Sequence, residues 1–179
     1  MSEFFKIQNI LSLMRLPILF FVIYFIKEDK VNIVLFLLSL AVITDILDGY
    51  IARKKKEDTE LGKILDHVID KIFFNSVSIS LYFFKGLPLF FVIILFLRDF
   101  VSLFFGYLLW KKGKVIGSNI SGKLAGFFLS LLFIFYLLNF PLKEYLVFLS
   151  LFFILLASTS YFIIFLILLK ESCRESKIG

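Results

Sequence analysis

Six apolar runs, each near the length that crosses a bilayer, dominate this 179-residue chain. They fall at residues 10–27, 31–52, 61–84, 88–110, 120–139 and 142–169. Polar or turn-forming segments separate them: KEDK, RKKKEDTE, KGLP, KKGKVIGSN and NFPLKE. A backbone in hydrocarbon must satisfy its own N–H and C=O groups, and these runs are too long for barrel strands, so helices are expected. At 60% hydrophobic residues, the chain carries more apolar surface than a soluble domain of its length can bury. The sequence therefore reads as an all-α integral membrane protein, one domain over residues 1–179 with six transmembrane helices. A short amphipathic helix in SEFFKIQN is expected to lie on the membrane surface before the first span. Lys27-Glu28-Asp29-Lys30 follow the first run where a signal peptide would carry small residues, so that run is read as a retained helix.

The formal net charge of +6 does not point to nucleic acid, because the basic residues sit in short loops and no RNA- or DNA-binding motif occurs. One side of the membrane would hold Lys6, Arg15, Arg53 to Lys56, Lys63, Lys111, Lys112, Lys114, Lys123, Lys170, Arg174 and Lys177. The other would hold Lys27, Lys30, Lys85 and Lys143. The positive-inside bias puts both termini and the 53–63 loop in the cytoplasm, as expected for a multi-pass protein of the cytoplasmic membrane. Cys173 is the single cysteine and His67 the single histidine, which excludes an intrachain disulfide and any cysteine or multi-histidine metal site. A hard-cation site built from carboxylates stays open.

Such a site is suggested where the second and third runs meet. Asp45, Asp48, Gly49, Ala52 and Arg53 fall at i, i+3, i+4, i+7 and i+8, on one helical face. Gly62, Asp66 and Asp70 fall at i, i+4 and i+8 on another, and Thr59 extends that stripe if the helix begins early. A short loop joins the two, so the helices are expected to be antiparallel neighbours whose four carboxylates converge near the cytoplasmic end. A charged residue at mid-membrane costs about 2.5–3.5 kcal/mol on the insertion scale. Like charges at close range also push each other toward the neutral form. One or two divalent cations, Mg²⁺ or Mn²⁺, resolve both problems and hold a pyrophosphate. A carboxylate left partly free can take a proton from an attacking hydroxyl. Gly49 and Gly62 leave room for a base or phosphate near the backbone, and Arg53 is placed to meet a phosphate. The bland alternative is a set of interfacial carboxylates paired with lysines. It accounts for one aspartate at a helix end better than for four on matching faces.

The full spacing, D-x2-D-G-x2-A-R-x8-G-x3-D-x3-D, resembles the signature of the CDP-alcohol phosphatidyltransferases. Every fixed position is present: Asp45, Asp48, Gly49, Ala52, Arg53, Gly62, Asp66 and Asp70. The resemblance implies a pair of divalent cations on the four aspartates, binding the pyrophosphate of a CDP-linked lipid. An acceptor hydroxyl then attacks the β-phosphorus and CMP leaves. By the same resemblance Asp70 is the general base. Gly49, Ala52, Arg53 and Thr59 border the CDP-lipid, Gly62 gives room to the nucleotide, and a homodimer is expected. His67 lies about 100° off the Asp66 direction and is assigned to packing or the rim.

Residues outside the motif bear on the acceptor. NILSLMRLP, Asn9 to Pro17, resembles the N-x-L-T-x-x-R segment of the glycerophosphate-accepting branch, with Ser12 for Thr. Asn9 would touch the nucleotide. Arg15 would bind a phosphate, or serve as a positive-inside anchor. Arg98-Asp99 lies within the fourth run, where the branch often shows Arg-Glu. Arg98 would bind the acceptor phosphate, or pair with Asp99 or the motif carboxylates. In GSNISGKLAG, Gly122-Lys123 match the branch's G-K-x-K-T segment, with Ala125-Gly126 in place of Lys-Thr, and Lys123 would hold a phosphate. STSY, Ser158 to Tyr161, loosely echoes the branch's Ser…Tyr ending or supplies helix contacts.

The cationic set of Arg15, Arg98 and Lys123 favours an anionic acceptor. Glycerol 3-phosphate comes first, inositol 1-phosphate second, then serine or phosphatidylglycerol. The resemblance implies CDP-diacylglycerol or an ether-linked analogue as the donor. A divalent-cation channel or transporter is the alternative of a different class. It leaves Gly49, Arg53 and Gly62 without a role. Membrane prenyltransferases also use aspartate-rich helices, with other spacing and more spans.

Overall fold

A computed structural model describes residues 7–55, 60–111 and 120–175. All the regular elements among them are helices: α1 (Ile7–Lys27), α2 (Val31–Lys55), α3 (Glu60–Lys85), α4 (Leu89–Trp110), α5 (Ile120–Leu137) and α6 (Lys143–Glu175). Each apolar run is one helix, with ends within a few residues of those expected. The larger departure is α6, which continues past residue 169 to Glu175. Most of the surface stretch SEFFKIQN lies outside the described residues.

Two of the turns follow from local chemistry. At the end of α1, Asp29 adopts φ 57°. Its N–H donates to Ile26 C=O at 3.2 Å, and that of Lys30 to Phe25 C=O at 3.0 Å. This paired arrangement satisfies the last carbonyls of the helix, and an aspartate tolerates the left-handed position better than most residues. The end of α5 repeats it. Asn139 sits at φ 52°, and Phe140 N–H donates to Phe135 C=O at 3.0 Å. The rings of Phe135 and Phe140 lie 5.0 Å apart, the apolar contact that accompanies such a cap. Lys143 Nζ donates to Asn139 Oδ1 at 2.6 Å, tying the first residue of α6 to the turn.

The chain divides into two compact units, residues 1–88 and 89–179. In the first, α1 packs against both α2 and α3. Leu19, Val22 and Ile26 form the buried stripe of α1, and Ile69, Phe73, Val77 and Leu81 that of α3. Arg15 pairs with Asp66 in the N-terminal halves of α1 and α3, and Lys85, the last residue of α3, pairs with Asp29 just past the end of α1. The two helices therefore run parallel, with α2 antiparallel to α1 across the tight turn. In the second unit, α6 packs against α5 and α4. Phe128 stacks on Phe153 at 4.1 Å, and Phe105 on Phe165 at 4.2 Å. Ser150 Oγ donates to Phe128 C=O at 3.1 Å, a hydrogen bond from α6 to α5 of the kind that holds helices together in lipid.

Among the described residues, α4, α5 and the Lys143–Lys170 part of α6 are long and apolar enough to cross a membrane, and Val31–Thr44 of α2 is a shorter apolar helix. Phe20, Phe36, Phe83, Phe127 and Phe148 are each more than 60% exposed. Such an outward apolar surface suits hydrocarbon rather than water, and the chain is a multi-pass membrane protein.

The α5 cap makes a direct prediction. Asn139→Val places a β-branched residue in the left-handed region and should cost about 1–2 kcal/mol. Asn139→Gly should stay within about 1 kcal/mol of the parent. Thermal unfolding of the purified protein in one detergent checks the order.

Candidate active site

The first unit brings together one basic and two acidic residues that sequence reading placed in separate sets. Arg15 lies on α1 in register with Leu19, Val22 and Ile26, four, seven and eleven residues on. It is thus carried on the buried stripe, and its side chain is only 3% exposed. A guanidinium buried to that extent needs anions. α3 supplies them, because Asp66 and Asp70 are one turn apart and continue the line of Ile69 and Phe73. Arg15 Nη1 donates to Asp66 Oδ1 at 3.0 Å and also directly to Asp70 Oδ1. The two side chains are 33% and 38% exposed. Both acids are therefore partly exposed beside a buried guanidinium.

Gly62 is buried one turn before Asp66, and His67 is exposed. Asp45, Asp48, Gly49, Ala52 and Arg53 all fall within the continuous helix α2. Their side chains lie outside the described residues, as does that of Asn9, and Thr59 lies outside them altogether. The topology puts the C-terminal half of α2 and the N-terminal half of α3 at the same end of the unit. Among the described residues no group of three metal-binding side chains occurs. The part in view is a pair of carboxylate oxygens converging on one cationic nitrogen. Oxygen donors of that kind match a hard divalent cation such as Mg²⁺ or Mn²⁺.

Arg98 and Lys123 belong to the second unit. Arg98 Nη1 donates to Asp99 Oδ1 at 3.0 Å, and the Asp99 side chain is 5% exposed. The contact between these neighbours offsets the burial of the carboxylate. Arg98 also lines an apolar groove of about 640 Å³ between α4 and α6, with Ser102, Phe105, Ser158, Tyr161 and Phe162. In the STSY segment, Ser158 donates to Ile154 C=O at 2.8 Å, and Thr159 and Ser160 to Leu156 C=O at 2.9 Å. Those hydroxyl protons are spent within α6. Tyr161 packs over Gly122, where an added Cβ would meet its hydroxyl at 3.2 Å. Lys123, one residue on, is exposed.

Sequence reasoning singled out Arg15, Asp66 and Asp70 separately but missed that they form one cluster. The available signal was the placement of Arg15 on an apolar helical stripe, which requires a counter-charge from a neighbouring helix. The Gly122–Tyr161 contact was missed as well, because nothing local pairs residues so far apart in the chain.

Comparison with known proteins agrees with the motif. The sequence pattern of the CDP-alcohol phosphatidyltransferase family matches residues 5–169. The CDP-diacylglycerol–glycerol-3-phosphate 3-phosphatidyltransferase of Aquifex aeolicus is 35% identical over 129 residues, covering 70% of this chain and 72% of that protein. The enzyme of the same name from Bacillus subtilis is 31% identical over 134 residues, covering 70% of this chain and 69% of its own. The human cardiolipin synthase (CMP-forming) is 37% identical over 83 residues, covering 46% of this chain and 28% of that protein. With residues 5–169 matched and its aspartate motif intact, the chain belongs to the CDP-alcohol phosphatidyltransferase family.

Proposed function

We propose that this protein transfers the phosphatidyl group of CDP-diacylglycerol to the hydroxyl of sn-glycerol 3-phosphate, forming phosphatidylglycerophosphate and releasing CMP. The similarity over more than two thirds of both partners to two glycerol-3-phosphate 3-phosphatidyltransferases carries this reading. Shorter similarity to cardiolipin synthases supports phosphatidylglycerol as the second acceptor to try.

Asp45, Asp48, Asp66 and Asp70 are proposed to hold two divalent cations. When bound, these would neutralise the pyrophosphate and ease departure of CMP. The chain's own residues then orient and move a proton. Asp70, partly exposed beside Arg15, accepts the proton of the acceptor hydroxyl as its oxygen bonds to the β-phosphorus. The bond from that phosphorus to the CMP oxygen breaks. Gly49, Ala52, Arg53 and Thr59 border the CDP-lipid, Gly62 leaves space for the nucleotide, and Asn9 meets the nucleotide from α1. Arg98 and Lys123 are proposed as acceptor-phosphate ligands, with Arg15 as a third.

Six spans, both termini in the cytoplasm and an active site facing it are supported by the lysine and arginine asymmetry of the loops. A homodimer in the cytoplasmic membrane completes the reading.

An acceptor panel is the direct test. Purified protein is supplied with CDP-diacylglycerol, Mg²⁺ or Mn²⁺ and one acceptor at a time, and CMP is measured. Release with glycerol 3-phosphate is expected. Release only with phosphatidylglycerol or inositol 1-phosphate would replace the acceptor, and no release from a folded sample would overturn the reading. Asp70→Asn should lower turnover by about 10²–10⁴-fold while CDP-lipid binding stays measurable. Chelation of divalent cations should abolish CMP release, and added Mg²⁺ or Mn²⁺ should restore it.

A further inference from the structure

We propose that the end of α4, at Tyr107, Trp110 and Lys111, is a binding site for an anionic phospholipid of the surrounding bilayer. The site is separate from the residues of the proposed reaction.

α4 is apolar, long enough to span, and ends at Trp110. Its last turn therefore lies where hydrocarbon gives way to lipid headgroups. Tyr107, Trp110 and Lys111 fall at i, i+3 and i+4, one patch on the helix surface. Leu109, in the same turn, is fully buried, whereas Tyr107, Trp110 and Lys111 are exposed. The patch thus points outward.

Its three side chains are held together. Lys111 N–H donates to Tyr107 C=O at 3.1 Å, which keeps the lysine in helical register past the last residue of α4. Lys111 Nζ lies 5.2 Å from the centre of the Tyr107 ring. The Trp110 ring stands 6.2 Å from that ring, tilted by 36°. Tyrosine and tryptophan, each with an apolar body and a polar tip, suit this boundary. An ammonium resting on a ring keeps N–H donors for the oxygens of a phosphate. Lys112 and Lys114 follow in the sequence, and no acidic residue occurs between Asp99 and Glu144. No acid close by in the sequence offsets these three positive charges.

The outward side of α4 continues into the membrane as a bed for an acyl chain. Phe100 and Phe104 precede Tyr107 by seven and three residues, and both are exposed. One leaflet of hydrocarbon is about 15 Å deep, or about ten residues of helix, which is the stretch from Trp110 back to Phe100. A lipid whose phosphate meets Lys111 can lay a chain along these rings. A zwitterionic headgroup brings its own ammonium to its phosphate, so the lysines favour a lipid of net negative charge. Arg98, nine residues before Tyr107, falls about half a turn round the helix, so its groove is a different place.

Trp110 is the only tryptophan of the chain, so its fluorescence reports on this patch alone. The full chain is reconstituted in vesicles of phosphatidylglycerol and phosphatidylcholine at one fixed ratio. Bromine, which quenches tryptophan on contact, is carried on the chains of one lipid or of the other. Brominated phosphatidylglycerol should quench Trp110 at a mole fraction about fivefold lower than brominated phosphatidylcholine, the preference that one lysine at an anionic surface gives. In 1 M salt, where charges are screened beyond about 3 Å, the preference should shrink toward none. Lys111→Gln should weaken it, and Lys111→Gln combined with Lys112→Gln and Lys114→Gln should remove it. Retained quenching by brominated phosphatidylcholine shows that each variant still holds Trp110 against lipid. Equal quenching by the two lipids in the wild type, or an undiminished preference in the triple variant, would overturn the proposal. So would quenching by neither, the outcome expected if a second copy of the chain covers the patch.

Discussion

The first unit depends on holding acidic side chains in an apolar chain. Asp66 and Asp70 can be held on α3 only if a positive charge meets them, and Arg15 brings that charge from α1. The pairing sets more than the charge balance. It aligns the N-terminal halves of two parallel helices, while the Lys85–Asp29 pair lies at their C-terminal ends. Between these polar ends lie the buried Leu19, Val22 and Ile26 of α1 and Phe73 and Val77 of α3. A buried ion pair is poor evidence of net stability, because desolvation offsets much of the attraction. Its value here is positional, since it fixes where two of the motif carboxylates sit.

The second unit is built differently. It relies on aromatic stacking, with Phe128 on Phe153 and Phe105 on Phe165, and on the Ser150 hydrogen bond across α5 and α6. Lipid tails offer helices no hydrophobic reward for associating, so shape and a few polar contacts must do it. Arg98 brings a charge to the groove between α4 and α6, held by its neighbour Asp99. The sequence reading left Arg98 as either a phosphate ligand or a partner of Asp99, and the structure shows the second contact. A guanidinium already anchored by one acid still has nitrogens to offer an anion, so the two roles do not exclude each other. Family membership sets aside the channel alternative that the carboxylates alone would have allowed.

Much of the fold was legible because lipid leaves the backbone few choices. KEDK and NFPLKE end their helices where expected, and Asp29 and Asn139 within them take the left-handed positions that the turns need. The motif was legible too, because helical periodicity turns spacing into a shared face. What spacing could not supply was the identity of a partner on another helix. Arg15 was assigned either to a phosphate or to the membrane edge, and neither reading contains Asp66 and Asp70. The side chain is long enough to serve several anions, and only packing of α1 against α3 selects among them.

The sequence by itself determined that this chain is a bundle of membrane helices with an aspartate motif of one enzyme family at one end. Apolar run length and fixed residue spacing are local properties, and they survive any arrangement of the helices. The tertiary structure decided which charges meet. It placed a buried guanidinium on two of the motif acids and set Tyr161 against Gly122. Those outcomes depend on the depth and register at which helices pack, which no stretch of sequence encodes alone.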